Sequence, residues 1–514
     1  MPEHLPIQPL PGRREFLRRL ALLAGAGATL PAMRALAQNA GRPLEVIVAG
    51  AGMAGLCAAY ELEQRGHRVS VLEADRRHIG GRVRTLRFEH GLYGEAGAMR
   101  IPEKHALTRR YIAQFGLQLR PFVMNNPQGW LYARGTRVRA ADALRLGERY
   151  ALAPDERGKT ADELWSASLV RRLGELSAEE KADLASVTPQ TPRVREYDQQ
   201  SLLQLCQAAG LSDEACEFLA VAYGLETLLG TAATEHLREE LNQVWSLKFD
   251  EIVGGTDTLA TAFARSLHRP VRSGCEIHSI TQDAARGRVA ALYRENGEER
   301  KIEGDYLICT LPCPVLARLR VEPDLSGAKR RAIRQLNYDS STKVLALTNR
   351  RFWEIDDGIY GGGSFTDLIS GSTYYPADNA QARDLRVSRA PAVMLASYTW
   401  GQGARRLGSL THPERSRAVL HELARVHPQL AERGSVLRTA SWSWDAHPFA
   451  NGAFAWFMPG QHSQLHRHIV AAEGRIFFAG EHASLTHTWI QGALESALHT
   501  VAELLQQAAS EASS

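Results

Sequence analysis

The stretch that most constrains this chain is Val-Ile-Val-Ala-Gly-Ala-Gly-Met-Ala-Gly at residues 46–55. A β-branched strand runs into three glycines, and residues 56–65 then have the spacing of a helix. A glycine turn between a strand and a helix N-terminus forms a seat for a dinucleotide pyrophosphate. Gly50 allows the tight turn, Gly52 lets the backbone approach the phosphates, and Gly55 lets helix and strand pack closely. The stretch therefore predicts a Rossmann-type unit.

The choice of nucleotide depends on the residues that follow. A second strand, residues 69–72, ends at Glu73, where an acid holds the ribose of the adenosine half. Gly80-Gly81-Arg82 comes next, and the Arg82 guanidinium can make paired hydrogen bonds to a pyrophosphate. A Gly-Gly-Arg sequence at this place resembles the second fingerprint of FAD-dependent amine oxidases, and NAD dehydrogenases lack it. FAD is therefore the predicted cofactor.

The N-terminus is predicted to be a targeting segment. Residues 12–18, Gly-Arg-Arg-Glu-Phe-Leu-Arg, resemble a bacterial twin-arginine signal. The apolar stretch 20–33 contains Gly25, Gly27 and Pro31, so it is too short and too interrupted for a membrane span. Ala-Leu-Ala at 35–37 fits a cleavage site, which predicts that residues 1–37 are removed on export to the periplasm or beyond. The alternative is a basic disordered tail.

The net charge and the spacing of cysteines and histidines bear on whether the protein binds nucleic acid or a metal. Five arginines against two glutamates give residues 1–37 a net charge of +3, so +1 remains of the +4 of the 514-residue chain. This balance does not predict a nucleic-acid surface. The six cysteines show no metal-binding spacing, and His462, His466 and His468 have no acid or cysteine beside them, so no metal is predicted. A disulfide between Cys206 and Cys216 is left open.

The order of patterns along the chain predicts an α/β fold built from discontinuous segments. Strand-like runs near 275–295 and 302–309 are expected to extend the nucleotide sheet, and residues 160–246 have helical periodicity. We expect a signal peptide at 1–37, a Rossmann-type FAD-binding domain at 43–97, 248–330 and 458–508, a mixed-sheet substrate-binding domain at 98–150 and 331–457, and a helical insertion at 151–247.

Several motifs carry a resemblance that spans residues 44–508. They are Glu-Ala-Gly-Ala-Met-Arg-Ile-Pro-Glu-Lys-His at 95–105, Phe-Asp-Glu-Ile-Val-Gly-Gly at 249–255, Phe-Trp-Glu at 352–354 and Phe-Ala-Gly-Glu-His at 478–482. They resemble the FAD-dependent L-amino-acid oxidases of the flavin monoamine oxidase family. The resemblance implies hydride transfer from Cα to flavin N5, with molecular oxygen as acceptor and a 2-oxo acid, ammonia and hydrogen peroxide as products. It also implies a homodimer.

The glycine pattern and the resemblance together give a set of residues expected to contact FAD. Arg82 and Glu73 follow from the fingerprint, and the segments around 97, 481 and 490 follow from the resemblance. The full set is Gly50, Gly52, Met53, Ala54, Gly55, Glu73, Ala74, Gly81, Arg82, Gly97, Ala98, Met99, Arg100, Ile277, Glu481, Trp489, Ile490 and Ala493.

Four residues are the candidates for substrate chemistry. A substrate α-carboxylate needs a planar, bidentate cation, and the resemblance gives that role to Arg100. It gives Tyr398 the second carboxylate contact and places Trp489 against the substrate beside the isoalloxazine. Lys343 matches a lysine that holds a water near flavin N5 and places positive charge where oxygen is reduced.

Position 239 departs from the family pattern. Some members have a histidine ten residues before the Phe-Asp-Glu-Ile motif, and here that position is Glu239. Glu239 is predicted either to attract a cationic substrate side chain or to be a solvated helix acid.

The predicted activity has three alternatives. They are a decarboxylating monooxygenase like tryptophan 2-monooxygenase, a primary-amine or polyamine oxidase, and a non-catalytic FAD-bound partner protein.

Overall fold

The computed structural model describes residues 42–245 and 248–513, so the predicted signal peptide lies outside the described residues. Five parallel strands form what we call the nucleotide sheet. Four of its strands are short runs rich in Val, Ile, Leu and Phe with mostly buried residues, as a sheet covered by helices requires. The fifth, Arg272–Ser273, is a two-residue edge strand. In spatial order the five strands are Arg272–Ser273, Arg68–Glu73, Glu45–Ala49, Tyr306–Cys309 and Ile476–Phe478.

Two helices cover one face of this sheet. Met53–Glu63 begins directly after the glycine turn, and Ile490–Ser513 packs against it. The chain thus returns to one parallel sheet from three distant segments, which confirms the predicted α/β fold class. The ends of the predicted domains stay predictions. Within residues 42–245 and 248–513, none of the helices has the length and apolar character needed to cross a membrane.

One prediction about the nucleotide sheet is wrong. The strands near 275–295 and 302 do not extend it; of residues 275–309, only Tyr306–Cys309 joins this sheet. These strands instead pair antiparallel with one another as successive hairpins. Ile280 pairs with Ala291, and Ala291 pairs with Ile302. Local hairpin pairing closes shorter loops than pairing with a distant parallel edge. The separate sheet has the order Glu298–Gly304, Arg288–Glu295, Cys275–Asp283 and Arg320–Glu322.

A seven-stranded sheet, which we call the mixed sheet, forms the opposite side of the molecule's cavity. Its pairs are antiparallel except for one parallel pair between Gly362–Thr366 and Trp130–Ala133. The strand next to one edge, Ser341–Thr348, is buried along its whole length and carries Lys343. The order is Val436–Ser443, Ser341–Thr348, Ala392–Trp400, Ser372–Tyr375, Gly362–Thr366, Trp130–Ala133 and Thr136–Arg139.

Short sheets connect the two larger ones. Ile101–Pro102, Phe249–Ile252 and Leu119–Phe122 form one of three strands, and it fixes the residue that follows Arg100. The two-stranded pairs are Thr85–Arg87 with Tyr93–Glu95 and Tyr338–Asp339 with Phe454–Ala455.

The regular elements of residues 151–245 are helical, as the periodicity of the sequence favours. Thr160, Ser177 and Ser201 each begin a helix with a capping box, which satisfies otherwise orphaned N–H groups. The α-helices are Ala161–Trp165, Arg171–Gly174, Ala178–Asp183, Pro192–Asp198, Leu202–Ala208, Asp213–Tyr223 and Ala233–Leu241.

The remaining α-helices are distributed over the rest of the described chain. They are Ala106–Gln114, Ala143–Gly147, Asp257–Arg265, Cys313–Leu316, Gly327–Gln335, Phe352–Ile355, Leu385–Ser388, Gly401–Gly408, His412–Leu423 and Arg467–Val470. The six cysteines are buried free thiols, including Cys206 and Cys216, the pair for which a disulfide was left open.

Candidate active site

A cavity of about 860 Å³ extends from the glycine turn to the mixed sheet and the helices of residues 151–245. The candidate residues for the cofactor and the substrate line it, with the single exception of Gly55. Gly55 lies behind the wall, where a Cβ would stand 2.0 Å from the carbonyl oxygen of Gly50. That is the close helix–strand approach for which a glycine was predicted.

The glycine turn fits a pyrophosphate. Gly50 has a φ of +99°, a conformation that L side chains rarely adopt. Gly52 caps the helix Met53–Glu63 with φ −72° and ψ 177°, and a Cβ built on it would have nothing within 4 Å. The open space at Gly52 and the N–H groups of the first helical turn face the same cavity. An anion placed there would meet the positive end of the helix dipole.

Glu73 lies at the position that the fingerprint predicts to contact the ribose of FAD. Its carboxylate accepts hydrogen bonds from the backbone N–H groups of Ala51 and Asp75, both at 2.8 Å. Burial raises the pKa of Glu73. A carboxylate offers about four acceptor positions, so two remain for hydroxyl groups. These residues fit FAD.

Glu481 joins three parts of the cavity wall. Its Oε1 accepts from Nη1 of Arg82 at 2.7 Å and from the N–H of Ala455 at 2.9 Å, and its Oε2 accepts from the N–H of Thr488 at 3.1 Å. Arg82 and Glu481 are therefore an ion pair at the cavity surface. The pair fixes the segment that presents Trp489, and a flavin contact for either residue stays a prediction.

Lys343 lies beneath the segment that precedes Arg100. Its Nζ donates to the carbonyl oxygens of Gly97 at 2.7 Å and Glu95 at 3.2 Å, and it stands 4.3 Å from the centre of the Tyr398 ring. Lys343 and Tyr398 are register partners on neighbouring strands. Burial lowers the pKa of Lys343, and burial raises the pKa of the Glu95 carboxyl. The lysine is thus a buried group, not a solvated one at a strand edge.

Arg100 is a buried cation in the cavity wall. The residue is 7% exposed, and its Nη1 donates to the hydroxyl of Tyr374 at 3.3 Å and contacts Sδ of Met124 at 3.0 Å. Its Cζ lies 4.9 Å from the centre of the Trp245 ring. In the described ranges no carboxylate forms an ion pair with it. A buried, unpaired guanidinium is costly unless an anion binds it.

Glu239 lies on the helix Ala233–Leu241 and also faces the cavity. Its Oε2 accepts from Nε1 of Trp245 at 2.6 Å, and its Oε1 accepts from Nε1 of Trp489 at 3.1 Å. Burial raises the pKa of Glu239 to about 7. The alternative of a solvated helix acid does not fit, because Glu239 is half-buried and each of its carboxylate oxygens accepts a hydrogen bond from an indole N–H.

One helical turn before Glu239, a second acid holds the same segment. Glu235 accepts from Nδ1 of His487 at 2.9 Å and from the N–H of Phe457 at 3.2 Å. Residues four apart lie on one helix face, so Glu235 and Glu239 accept hydrogen bonds from His487 and Trp489, respectively, on the same side of the helix. Trp489 is therefore placed by side chains of the helical segment.

Sequence reasoning missed Tyr374, Trp245 and Glu95. Glu95 stood at the head of a motif, and that position was the available signal. Nothing in the sequence marked Tyr374, because its closeness to Arg100 depends on the strand order of the mixed sheet. Trp245 follows the end of a helix, where an aromatic residue gives no specific signal.

The match to a family model fits this arrangement. The model for flavin-containing amine oxidoreductases matches residues 53–505, and the chain belongs to that family. The family resemblance and the FAD prediction are thus confirmed, and the protein is an oxidoreductase.

The chain is 37% identical in sequence to YobN of Bacillus subtilis, and the alignment covers 90% of this chain and 95% of YobN. It is 33% identical to an L-amino-acid oxidase of Siganus canaliculatus (90% and 85% covered) and 32% identical to one of Gloydius blomhoffii (90% and 89% covered).

Solved structures show the same fold. A putrescine oxidase bound to putrescine superimposes with a TM-score of 0.71 at 19% identity, covering 90% of this chain and 99% of that one. A cyclohexylamine oxidase from Brevibacterium oxydans gives 0.68 at 20% identity, covering 92% and 100%. The roles of the individual site residues stay predictions.

Proposed function

We propose that this protein is an L-amino-acid oxidase that converts its substrate, with oxygen and water, to a 2-oxo acid, ammonia and hydrogen peroxide. The observation that carries the proposal is Arg100, a buried guanidinium at the cavity with no carboxylate of the described chain paired to it. A simple amine gives this cation no partner, whereas an amino acid brings a carboxylate. The names of the relatives from Siganus canaliculatus and Gloydius blomhoffii support the same activity.

The chain's own groups position the substrate. Arg100 binds the α-carboxylate in a fork, and the hydroxyls of Tyr374 and Tyr398 complete the carboxylate site. Trp489 packs against the reacting carbon. FAD, which the glycine turn and Glu73 would hold, would supply the transfer of two electrons from the substrate to oxygen. Fixing the substrate in one orientation is the main contribution that these side chains make.

The test is a product assay of the purified holoenzyme. L-amino acids should give equal amounts of peroxide, 2-oxo acid and ammonia, and D-enantiomers should give none. Formation of an amide with carbon dioxide would instead establish the decarboxylating monooxygenase. Turnover of an amine in preference to its parent amino acid would establish an amine oxidase, and failure of every amino acid to reduce the flavin would leave a non-catalytic flavoprotein.

Replacing Lys343 with methionine should slow the reaction of the reduced enzyme with oxygen by roughly 10- to 100-fold. The reason is the loss of a fixed positive charge where reduced oxygen develops. Burial lowers the pKa of Lys343, so this lysine loses its charge at a lower pH than an ordinary lysine, whose pKa is about 10.4. The rate of the wild-type enzyme with oxygen should therefore fall as the pH rises, and the fall should come below about pH 10.4. Stopped-flow mixing of photoreduced enzyme with oxygen measures this rate. A K343M rate equal to that of the wild type would contradict the role.

We further propose export by the twin-arginine route and assembly into a homodimer. The proposal of export rests on residues 12–18 and 35–37, outside the described structure. Changing Arg13 and Arg14 together to lysine should keep the protein in the cytoplasm, while the matched change of Arg18 and Arg19 should not. Fractionation of cells that express each variant gives the answer, and export of the first variant would refute the route. Light scattering tests the dimer.

A further inference from the structure

We propose that the substrate carries a cationic side chain, a guanidinium or an ammonium, and that Glu239 is the residue that selects it. The inference rests on the proposed function and adds the substrate class. It comes from the way in which the carboxylate of Glu239 is held and from what surrounds the far end of the cavity.

Glu239 has fixed position and spare acceptor capacity. Two indole N–H groups, from Trp245 and Trp489, hold one oxygen each. A carboxylate has about four acceptor positions, so each oxygen can accept one more hydrogen bond from a ligand in the cavity. Both donors are neutral, and no lysine, arginine or histidine of the described ranges forms an ion pair with Glu239. Arg100 favours its ionised form from a distance but forms no ion pair with it.

The Trp245 ring lies between the Arg100 guanidinium and the Glu239 carboxylate. The Arg100 guanidinium lies over the face of this indole at 4.9 Å, and Glu239 accepts from its edge. When a substrate carboxylate occupies Arg100, that cation is neutralised, and the half-buried Glu239 carboxylate is left without a cation beside it. A buried unpaired charge is strongly unfavourable, whereas one that meets a cation is stabilised. Burial already raises the pKa of Glu239 to about 7, and a bound cation would restore its ionised form.

The cavity beyond Glu239 repeats the same chemistry on an independent set of residues. Glu240 accepts from Nε1 of Trp165 at 3.1 Å, and Asp162 accepts from the hydroxyl of Tyr223. All four side chains line the cavity. As with Glu239, each acid is held by an aromatic donor and forms no ion pair with a described residue. Aromatic rings also attract cations over their faces. Glu240 is half-buried and Asp162 is exposed. An apolar side chain would therefore desolvate Glu239 and Glu240 without compensation, and a cationic one would not.

The experiment compares near-isosteric substrates that differ in charge. The holoenzyme is assayed with L-arginine against L-citrulline and with L-lysine against L-norleucine. We expect kcat/KM to favour the charged member by about 10- to 100-fold. Glu239→Gln should remove most of that preference, measured as the ratio of kcat/KM between the charged and the neutral member of each pair. Glu179→Gln, at an exposed helix position outside the cavity, should leave this ratio unchanged.

Each result decides the inference. Neutral substrates used as well as their charged partners by the wild type would overturn it and leave the L-amino-acid oxidase proposal standing. An equal loss on all substrates in E239Q would also overturn it, because it would assign Glu239 to the common α-amine. Oxidation of no amino acid would reject the proposed function itself. Flavin absorbance and melting temperature report whether E239Q is folded, and the wild-type ratios decide the question even if it is not.

Discussion

Replacing Arg100 with methionine is expected to lower kcat/KM for L-amino acids by about 30- to 4,000-fold. The estimate corresponds to about 2–5 kcal/mol for removing one partner of a buried charge pair. Methionine keeps much of the side-chain length in a wall that already contains Met124 and the Trp245 ring, so the loss reports the charge and its hydrogen bonds. Steady-state peroxide assays over a range of substrate concentration give the two constants.

Two comparisons make this result specific. Arg100→Lys keeps the charge but not the planar fork, and it should retain part of the activity. The decarboxylated amine of a good substrate should be oxidised poorly by the wild type and should lose little more in R100M. Native kinetics in R100M, or an equal loss for the amino acid and its amine, would contradict a carboxylate contact.

Replacing Gly52 with valine should abolish FAD binding while leaving the polypeptide folded. The backbone at Gly52 has φ −72° and ψ 177°, which valine adopts readily, and no atom lies within 4 Å of the new Cβ. The added methyl groups project instead into the space where the pyrophosphate meets the helix N-terminus. Apoprotein of near-normal circular dichroism, with no flavin absorbance after addition of FAD, is the expected result.

Gly174→Val is the matched control for this variant. Gly174 is an exposed helix residue, and a Cβ there also has nothing within 4 Å. Valine costs no more than glycine in a helix, so G174V should bind FAD normally. A yellow, fully loaded G52V would show that the glycine turn is not the phosphate site.

The cofactor site was predictable because its parts are close in sequence. Gly50, Gly52 and Glu73 belong to one βαβ unit, so local pattern fixes their mutual placement, and the structure puts all three at one cavity. The strands near 275–295 were assigned to the wrong sheet, because a strand pattern does not specify which partner a strand pairs with.

The far side of the cavity was less accessible to sequence reasoning for a physical reason. Tyr374 reaches Arg100 across 274 residues of chain, and Trp489 reaches Glu239 across 250. Such contacts depend on strand order and helix docking, which a single sequence does not encode in a local pattern. Position 239 could be singled out by its departure from a motif, but its two indole donors were not predictable.

Anaerobic reduction of the flavin separates substrate recognition from the reaction with oxygen, so it shows directly whether Arg100 binds a substrate carboxylate. The oxidised holoenzyme is mixed in a stopped-flow instrument with L-lysine or L-leucine and, separately, with the amine that each gives on decarboxylation. We expect an amino acid to bleach the flavin band rapidly and its amine to do so at least about 100-fold more slowly. Bleaching by the amine at an equal or greater rate would show that a carboxylate is not what Arg100 binds.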